Sequence, residues 1–147
     1  MKISLEYADC SDLEVIVKGN IHSEEAVNII SALNNISAFG KLMLRGEDES
    51  ILYDAEDIIY FEAAQGKTYA VTETGRYEIN EKLYELSNTL NCKGFIQINK
   101  STVVNINYVL SVSAEFSGNY TARLKKNKGT LIISRKYFNS FKNFVRR

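Results

Sequence analysis

The chain has 147 residues, which is enough for one medium domain or two small ones, and its 45% hydrophobic content excludes a disordered chain. No uncharged apolar run approaches the roughly 18–20 residues of a membrane span, and the N-terminus lacks the apolar region of a signal peptide. These absences predict a cytoplasmic globular protein, and its net charge is zero.

In chain order, the first 50 residues predict a small β-β-α-β unit. Residues 2–7 and 13–18 alternate polar and apolar side chains, as strands with one buried face do. Ser23 is suited to be the N-cap of the helix that follows. Residues 41–45 predict a third strand, and the charged stretch 45–50 predicts a linker.

Residues 51–147 predict a second domain that is rich in strands, so the fold class is α+β and mainly β. Strands are expected over residues 51–54, 57–64, 68–73, 76–79, 95–99, 108–116, 120–126 and 130–134. A helix over 81–90, capped by Asn80, has leucines on one face. A last helix, capped by Ser134, has an aromatic stripe that is expected to pack in the core.

The charges divide sharply along the chain. Residues 1–90 contain 7 Lys/Arg and 17 Asp/Glu, whereas residues 91–147 contain 11 Lys/Arg and a single acid, Glu115. A basic segment with almost no acids favours a polyanion as its partner. Its cations lie near predicted strand ends and loops: Lys93, Lys100, Lys125, Lys126, Lys128, Arg135 and Lys136.

Residues suited to catalysis or metal binding are sparse. Cys10 and Cys92 lie far apart and form no paired-cysteine pattern, which predicts two reduced thiols. The single histidine, His22, has no recognisable nucleophile or metal partner, and the acids of residues 54–57 have the spacing of a turn. No phosphate-binding glycine loop is present. The sequence therefore predicts a protein that is not an enzyme and needs neither cofactor nor metal.

One stretch does not fit a plain strand. In "INKSTVVNINYVLSVS" (98–113) a polar cluster runs into two valines, and Asn105 follows among β-branched residues. A strand packed on both faces favours neither lysine nor asparagine. The pattern of a plain strand therefore does not explain this stretch.

From about residue 51 to residue 145 the chain resembles a LytTR DNA-binding domain, the mainly β output domain of response regulators. The matching stretches are "AEDIIYFEAAQGKTYAVT" (55–72), "EKLYEL" (81–86), "FIQINKSTVVNINYVLSV" (95–112) and "LIISRKYFNSFK" (131–142). Their order and spacing agree with the family over about two-thirds of the chain.

The resemblance implies three DNA-facing loops. Family proteins insert loops into successive major grooves and make a further contact at the intervening minor groove. Carried over position by position, the first loop holds Gly66, Lys67 and Thr68, the second Asn99 and Lys100, and the third Ser134 and Arg135. Lys136, next to Arg135, is also expected to bind DNA. Arginine suits paired acceptors on guanine, and lysine suits phosphate.

The family pattern also separates structural from contacting residues. Asn105 matches an asparagine that is expected to bond backbone groups where strand pairing is interrupted. Arg135 keeps the family residue. Where the family commonly has arginine, histidine and arginine, this chain has Gln97, Asn99 and Lys100, so it has lost one cation there and changed another.

We therefore predict a transcriptional regulator that binds double-stranded promoter repeats as a homodimer, with residues 1–50 as an acidic interaction and dimerisation unit. Only about 50 residues precede the match, too few for a receiver domain, so a stand-alone regulator is expected. Some similar stand-alone members are held inactive by a membrane-protein partner, and by analogy with them such a partner is an expectation for this chain. The alternative is a non-enzymatic module whose basic face binds an acidic protein, and salt-dependent binding to duplex DNA distinguishes the two.

Overall fold

The structure, a computed structural model, describes residues 1–7, 14–38 and 40–146. The chain divides into two units, Met1–Asn35 and Ile36–Arg147. Of the two cysteines, Cys10 lies outside the described residues, and Cys92 is a free, exposed thiol. Among the described helices, none is long and apolar enough to cross a membrane.

The N-terminal unit differs from the predicted β-β-α-β arrangement. Helix α1 (Glu24–Ala38) follows Ser23, whose Oγ accepts a hydrogen bond from Ala26 N at 3.2 Å, so the predicted cap is confirmed. The described residues of the two expected strands, 2–7 and 14–18, form no strand. A strand needs a neighbouring strand to pair with, which an alternating sequence does not by itself supply.

The second unit contains two antiparallel sheets, and the predicted mainly β fold is confirmed. Its strands are β1 (Lys41–Arg45), β2 (Ser50–Asp54), β3 (Ile58–Ala64), β4 (Lys67–Thr72), β5 (Arg76–Ile79), β6 (Phe95–Asn99), β7 (Thr102–Asn105), β8 (Val109–Ala114), β9 (Tyr120–Leu124) and β10 (Thr130–Ile133). Its helices are α2 (Leu83–Thr89) and α3 (Arg135–Val145). Sheet A has the order β2-β1-β5-β4-β3-β7-β6, and sheet B has the order β10-β9-β8.

The strand predicted at 41–45 belongs to sheet A, not to a separate N-terminal unit. β1 pairs with β2 along its whole length and meets β5 where Arg45 lies opposite Glu78. The predicted linker is the turn of the β1–β2 hairpin, because Gly46 N donates to Glu49 O at 2.8 Å. A Cβ at Gly46 would lie 2.8 Å from that oxygen, so the turn excludes other residues. The second unit therefore begins before residue 50, the predicted domain boundary.

Sheet A carries a hydrophobic core on each face, since successive side chains of a strand point to opposite sides. The first core joins β1 and β3–β5 to α2, whose Leu83, Leu86 and Leu90 are buried as predicted. Lys82, not Asn80, occupies the N-cap position of the helix, and the Glu85 carboxylate accepts a hydrogen bond from the backbone N–H of Lys82 at 3.3 Å.

The second core joins the β3–β7–β6 part of sheet A to sheet B and α3. It contains Ile59, Ile96, Ile98, Val104, Ala122, Leu124, Ile133 and Phe141. The aromatic stripe of α3 packs here as predicted, and Phe138 stacks on Tyr120 with ring centroids 3.5 Å apart. This core holds α3 against the sheets and thereby fixes the position of its first residue, Arg135.

Candidate nucleic-acid interface

The first predicted loop is the tight turn between β3 and β4. Gln65 and Gly66 form it, both with positive φ (53° and 76°). Lys67 is exposed at the start of β4, where its Nζ lies 3.6 Å from Glu78 Oε2. Thr68, also expected to face DNA, is only 6% exposed, because the next residue of a strand points to the opposite side. Its side chain is therefore not accessible to DNA.

The second predicted loop is the turn between β6 and β7. Lys100 is exposed at its tip. The Asn99 amide bonds within the protein: Nδ2 donates to Ile132 O at 2.7 Å, and Oδ1 accepts from Ser101 N at 2.8 Å. Asn99 thus ties the turn to β10, a role that the sequence does not reveal.

The third predicted loop connects β10 to α3. Ser134 is the N-cap residue of α3, although its side chain makes no capping hydrogen bond. Its backbone N–H donates to Ile98 O at 2.9 Å. Arg135 and Lys136 are exposed in the first turn of the helix, with Lys136 Nζ 5.9 Å from the centre of the Tyr137 ring.

Backbone hydrogen bonds place the three loops side by side. Ala63 N donates to Ser101 O at 2.8 Å, which joins the β3–β4 hairpin to the β6–β7 turn. The bond from Ser134 N to Ile98 O joins the β6–β7 turn to the start of α3. All three loops therefore lie at one end of the unit, with little freedom to separate.

A fourth turn, between β8 and β9, lies at the same end and was not predicted to take part. Its Asn119 Oδ1 accepts a hydrogen bond from Arg135 N at 3.1 Å. A surface groove here is lined by Ser117, Asn119, Ser134, Arg135, Lys136 and Asn139. We call the four segments, residues 65–67, 99–101, 117–119 and 134–136, the loop edge.

The loop edge carries exposed positive charge. Lys67 is partly neutralised by Glu78, which also lies 3.5 Å from Arg45 Nη1. In the described part of the chain, no ion pair involves Lys100, Arg135 or Lys136. Three of the four cations are thus exposed without an ion-pair partner in the described part of the chain.

The remaining lysines of the basic segment lie elsewhere. Lys125, Lys126 and Lys128 belong to the β9–β10 turn, at the opposite end of β9 from Asn119. A strand of five residues is about 17 Å long, so this group is separate from the loop edge. Lys126 Nζ bonds Glu73 Oε1 at 2.9 Å. This hydrogen bond, together with the attraction between the two opposite charges, lowers the pKa of Glu73 and raises the pKa of Lys126.

Asn105 is structural, as expected. It is fully buried, and its Nδ2 donates to Glu56 O at 3.1 Å and to Ile58 O at 3.0 Å. Its Oδ1 accepts from Asn107 N at 3.1 Å. The amide thus takes the place of strand pairing where β3 begins, and it holds the end of β7, the strand that follows the second loop, against β3.

The fold and the loop edge can now be compared with known proteins. The family model for the LytTr DNA-binding domain matches residues 48–146. The chain belongs to the LytTR DNA-binding domain family. The resemblance to this family that the sequence indicated is thereby confirmed.

Relatives agree with this assignment. The sensory transduction protein LytT of Bacillus anthracis is 27% identical over 106 residues, which cover 72% of this chain and 43% of the relative. The chain therefore spans less than half the length of that protein. An uncharacterized HTH-type transcriptional regulator of Staphylococcus aureus is 27% identical over 146 residues, covering 97% of this chain and 96% of the relative.

A solved structure shares the fold. The LytTr DNA-binding domain of a Bacillus cereus protein superimposes with a TM-score of 0.67 at 21% identity, covering 72% of this chain and 96% of that one. In the part of the LytTR chain that the structure describes, strands separate α1 from α2 and α2 from α3. No two helices there are therefore arranged as a helix-turn-helix.

The LytTR domain also shows what the sequence did not. Asn119 contributes to the loop edge, but the only sequence signal was the turn-forming run Ser117-Gly118-Asn119. Nothing in that run indicates contact with a residue 16 positions later. Among the described residues, no group of three or more His, Cys, Asp or Glu could hold a metal ion.

Proposed function

We propose that this LytTR domain binds double-stranded promoter DNA sequence-specifically through the loop edge, with neighbouring turns entering successive grooves. The observation that carries the proposal is the set of backbone hydrogen bonds that hold the three predicted loops at one end of the unit. A surface fixed in this way can match the spacing of DNA grooves without losing conformational entropy of the loops on binding.

The exposed cations have different proposed roles. Arg135 would read a guanine, because its guanidinium can donate two hydrogen bonds to the O6 and N7 acceptors. Lys67, Lys100 and Lys136 would neutralise phosphates. Asn99 would act mainly by holding the second turn against β10. The function so proposed is non-enzymatic and belongs to the cytoplasm, where promoter DNA is accessible.

Substitution of Arg135 tests the proposal. A cognate duplex is first obtained by selection from random sequences. Arg135→Ala should then lose about 1–3 kcal/mol of discrimination between the cognate and a scrambled duplex. Lys128→Ala removes an exposed cation at the far end of β9 and should leave the discrimination unchanged.

The salt dependence separates DNA binding from the alternative, an acidic protein partner. Affinity for duplex DNA should fall steeply as salt rises, with a slope set by the number of phosphates contacted. If Arg135→Ala leaves the discrimination unchanged, the role of the loop edge is wrong. A chain with no measurable affinity for any selected duplex would favour the protein-interaction alternative.

We further propose that the N-terminal unit serves for pairing and not for reading DNA. Its described residues include exposed apolar side chains, with Ile3, Leu5 and Val27 at 76%, 95% and 52% exposure. Its acids repel phosphate, which cannot favour DNA contact. Two copies on repeated half-sites would gain affinity through this pairing. An inhibitory membrane-protein partner stays a prediction from family analogy.

Removal of residues 1–35 tests the pairing. The cut precedes β1, because β1 pairs with β2 and β5 in sheet A and cannot be removed without damage to the sheet. After circular dichroism shows a cooperative melt, we expect unchanged affinity for a single half-site and weaker binding to two. Sedimentation should show two full-length chains on a two-half-site duplex. A folded truncated chain that no longer binds one half-site would contradict the proposal.

A further inference from the structure

The first residue of α3 is held by a side chain from a different part of the chain. The backbone N–H of Arg135 donates to Asn119 Oδ1 at 3.1 Å, and Asn119 belongs to the β8–β9 turn. Ser134, the N-cap residue, has extended backbone angles (φ −69°, ψ 148°) but makes no side-chain capping bond. Asn119 therefore supplies to this helix end an acceptor that the local sequence does not.

The β8–β9 turn is itself well defined. Glu115 N donates to Asn119 O at 2.9 Å, and Gly118 N donates to Glu115 O at 3.1 Å. The neighbouring residue, Tyr120, stacks on Phe138 one turn along α3, with ring planes inclined by only 8°. Asn119 is thus held between a closed turn and an aromatic stack, so its acceptor oxygen has a fixed position relative to α3.

The side chain of Arg135 lies over the same turn. A Cβ built at Gly118 would lie 3.5 Å from both Cδ and Nη1 of Arg135. Gly118 has φ of 90°, which favours glycine and leaves its surface flat. The arginine stem therefore has a support beneath it as well as a fixed backbone. A flexible side chain that is supported in this way loses less entropy when it binds.

On the basis of the function proposed above, we infer that Asn119 is a positioning residue for Arg135 and thereby a determinant of base specificity. Asn119 fixes the backbone from which the arginine extends, and Gly118 supports its stem. Loss of the Asn119 acceptor leaves every charge at the loop edge in place. Affinity for random DNA, which depends on charge, is therefore retained, whereas discrimination by Arg135 falls.

The experiment is a double-mutant cycle measured on the full chain. Asn119→Ala, Arg135→Ala and the double variant are titrated against a selected cognate duplex and a scrambled duplex at one salt concentration. Asn119→Ser is a second variant, since its shorter side chain cannot reach Arg135 N. Asn143→Ala is the matched control, because Asn143 is exposed on the same helix, two turns beyond Arg135.

We expect Asn119→Ala and Asn119→Ser to lower the ratio of cognate to scrambled affinity about three- to tenfold, the value of one hydrogen bond. The loss should fall on the base pair at which Arg135→Ala loses its preference. In the Arg135→Ala background the same substitution should change nothing further, because a positioning residue acts only through its target.

The outcomes distinguish failure of the proposed DNA-binding function from failure of the positioning role of Asn119. If Arg135→Ala does not change the ratio, the proposed function fails. If Arg135→Ala lowers the ratio but both Asn119 variants leave it unchanged, the positioning role is wrong. An equal loss with and without Arg135 would mean that Asn119 contacts DNA itself, which also overturns the inference. A loss shared by Asn143→Ala would assign the effect to the helix as a whole and refute it.

Discussion

Replacement of Asn105 by alanine should destabilise the domain strongly without touching the proposed DNA surface. Asn105 is fully buried, and its amide makes three hydrogen bonds: with Glu56 O, Ile58 O and Asn107 N. Alanine removes all three bonds, of which the bond to Ile58 O is buried and the other two are partly buried. The structure therefore predicts a large loss of stability from a single polar side chain.

The expected loss in the free energy of unfolding follows from the three hydrogen bonds of Asn105. Each contributes a net 0.5–1.5 kcal/mol, so we expect a loss of about 2–4 kcal/mol in the free energy of unfolding, allowing for partial relaxation around the site. Native domains have about 5–15 kcal/mol in total, so the variant should fold but melt at clearly lower temperature. The exposed Asn143 provides the control, since Asn143→Ala removes an equal volume with little effect.

Asn105→Asp separates hydrogen bonding from packing. The aspartate has nearly the same volume and keeps the acceptor for Asn107 N, but it replaces the donor to Glu56 O and Ile58 O by a charged oxygen. At neutral pH this variant should be at least as unstable as Asn105→Ala, because a buried carboxylate would face two carbonyl oxygens. At acid pH its protonated form regains one donor, so its deficit should shrink.

Urea unfolding followed by circular dichroism measures both variants. The midpoint should fall while the slope of free energy against urea is unchanged, since the surface exposed on unfolding stays the same. A loss below about 1 kcal/mol for Asn105→Ala would refute the reasoning, as it is less than one good hydrogen bond. So would an Asn105→Asp variant as stable as the native chain at neutral pH.

Further expectations concern charge. Lys67→Ala should weaken binding to cognate and scrambled duplexes by similar factors and reduce the slope of log affinity against log salt by about one. Fluorescence anisotropy at several salt concentrations measures both effects. A changed ratio of cognate to scrambled affinity would count against a phosphate contact. The hydrogen bond from Lys126 lowers the pKa of Glu73 below its ordinary 4.5, so the pair stabilises the fold above pH 4.5 and loses this effect as pH falls through the lower folded value. Glu73→Gln should therefore lower Tm slightly at pH 7, with a difference that shrinks below pH 4.5; a difference that grows in acid would contradict the assignment.

Sequence reasoning succeeded where local patterns decide structure. The leucines of α2 and the aromatic stripe of α3 have helical spacing, and both pack in the cores as expected. The structural role of Asn105 was predicted from its match to an asparagine of the family, and its buried hydrogen bonds agree with that prediction. The family of the chain also followed from short motifs whose order and spacing are specific.

The sequence failed where distant partners decide structure. Residues 2–7 alternate polar and apolar side chains as a strand does, but they form no strand. β1 belongs to sheet A because it pairs with β5, a strand that lies more than 30 residues later in the sequence. Thr68 was assigned to the DNA surface by position, yet strand alternation turns it inward. The bond between Asn119 and Arg135 joins the β8–β9 turn to the start of α3, and it leaves no local signal.

Two of the bonds that join the loops of the loop edge are made by main-chain atoms alone: Ala63 N with Ser101 O, and Ser134 N with Ile98 O. Backbone groups are the same whatever side chain is present. Side chains at the exposed tips, such as Lys100 and Arg135, can therefore be exchanged without moving the turns that carry them. The domain can acquire a new target sequence by a few tip substitutions, and libraries randomised at these tips should yield folded binders with altered preferences.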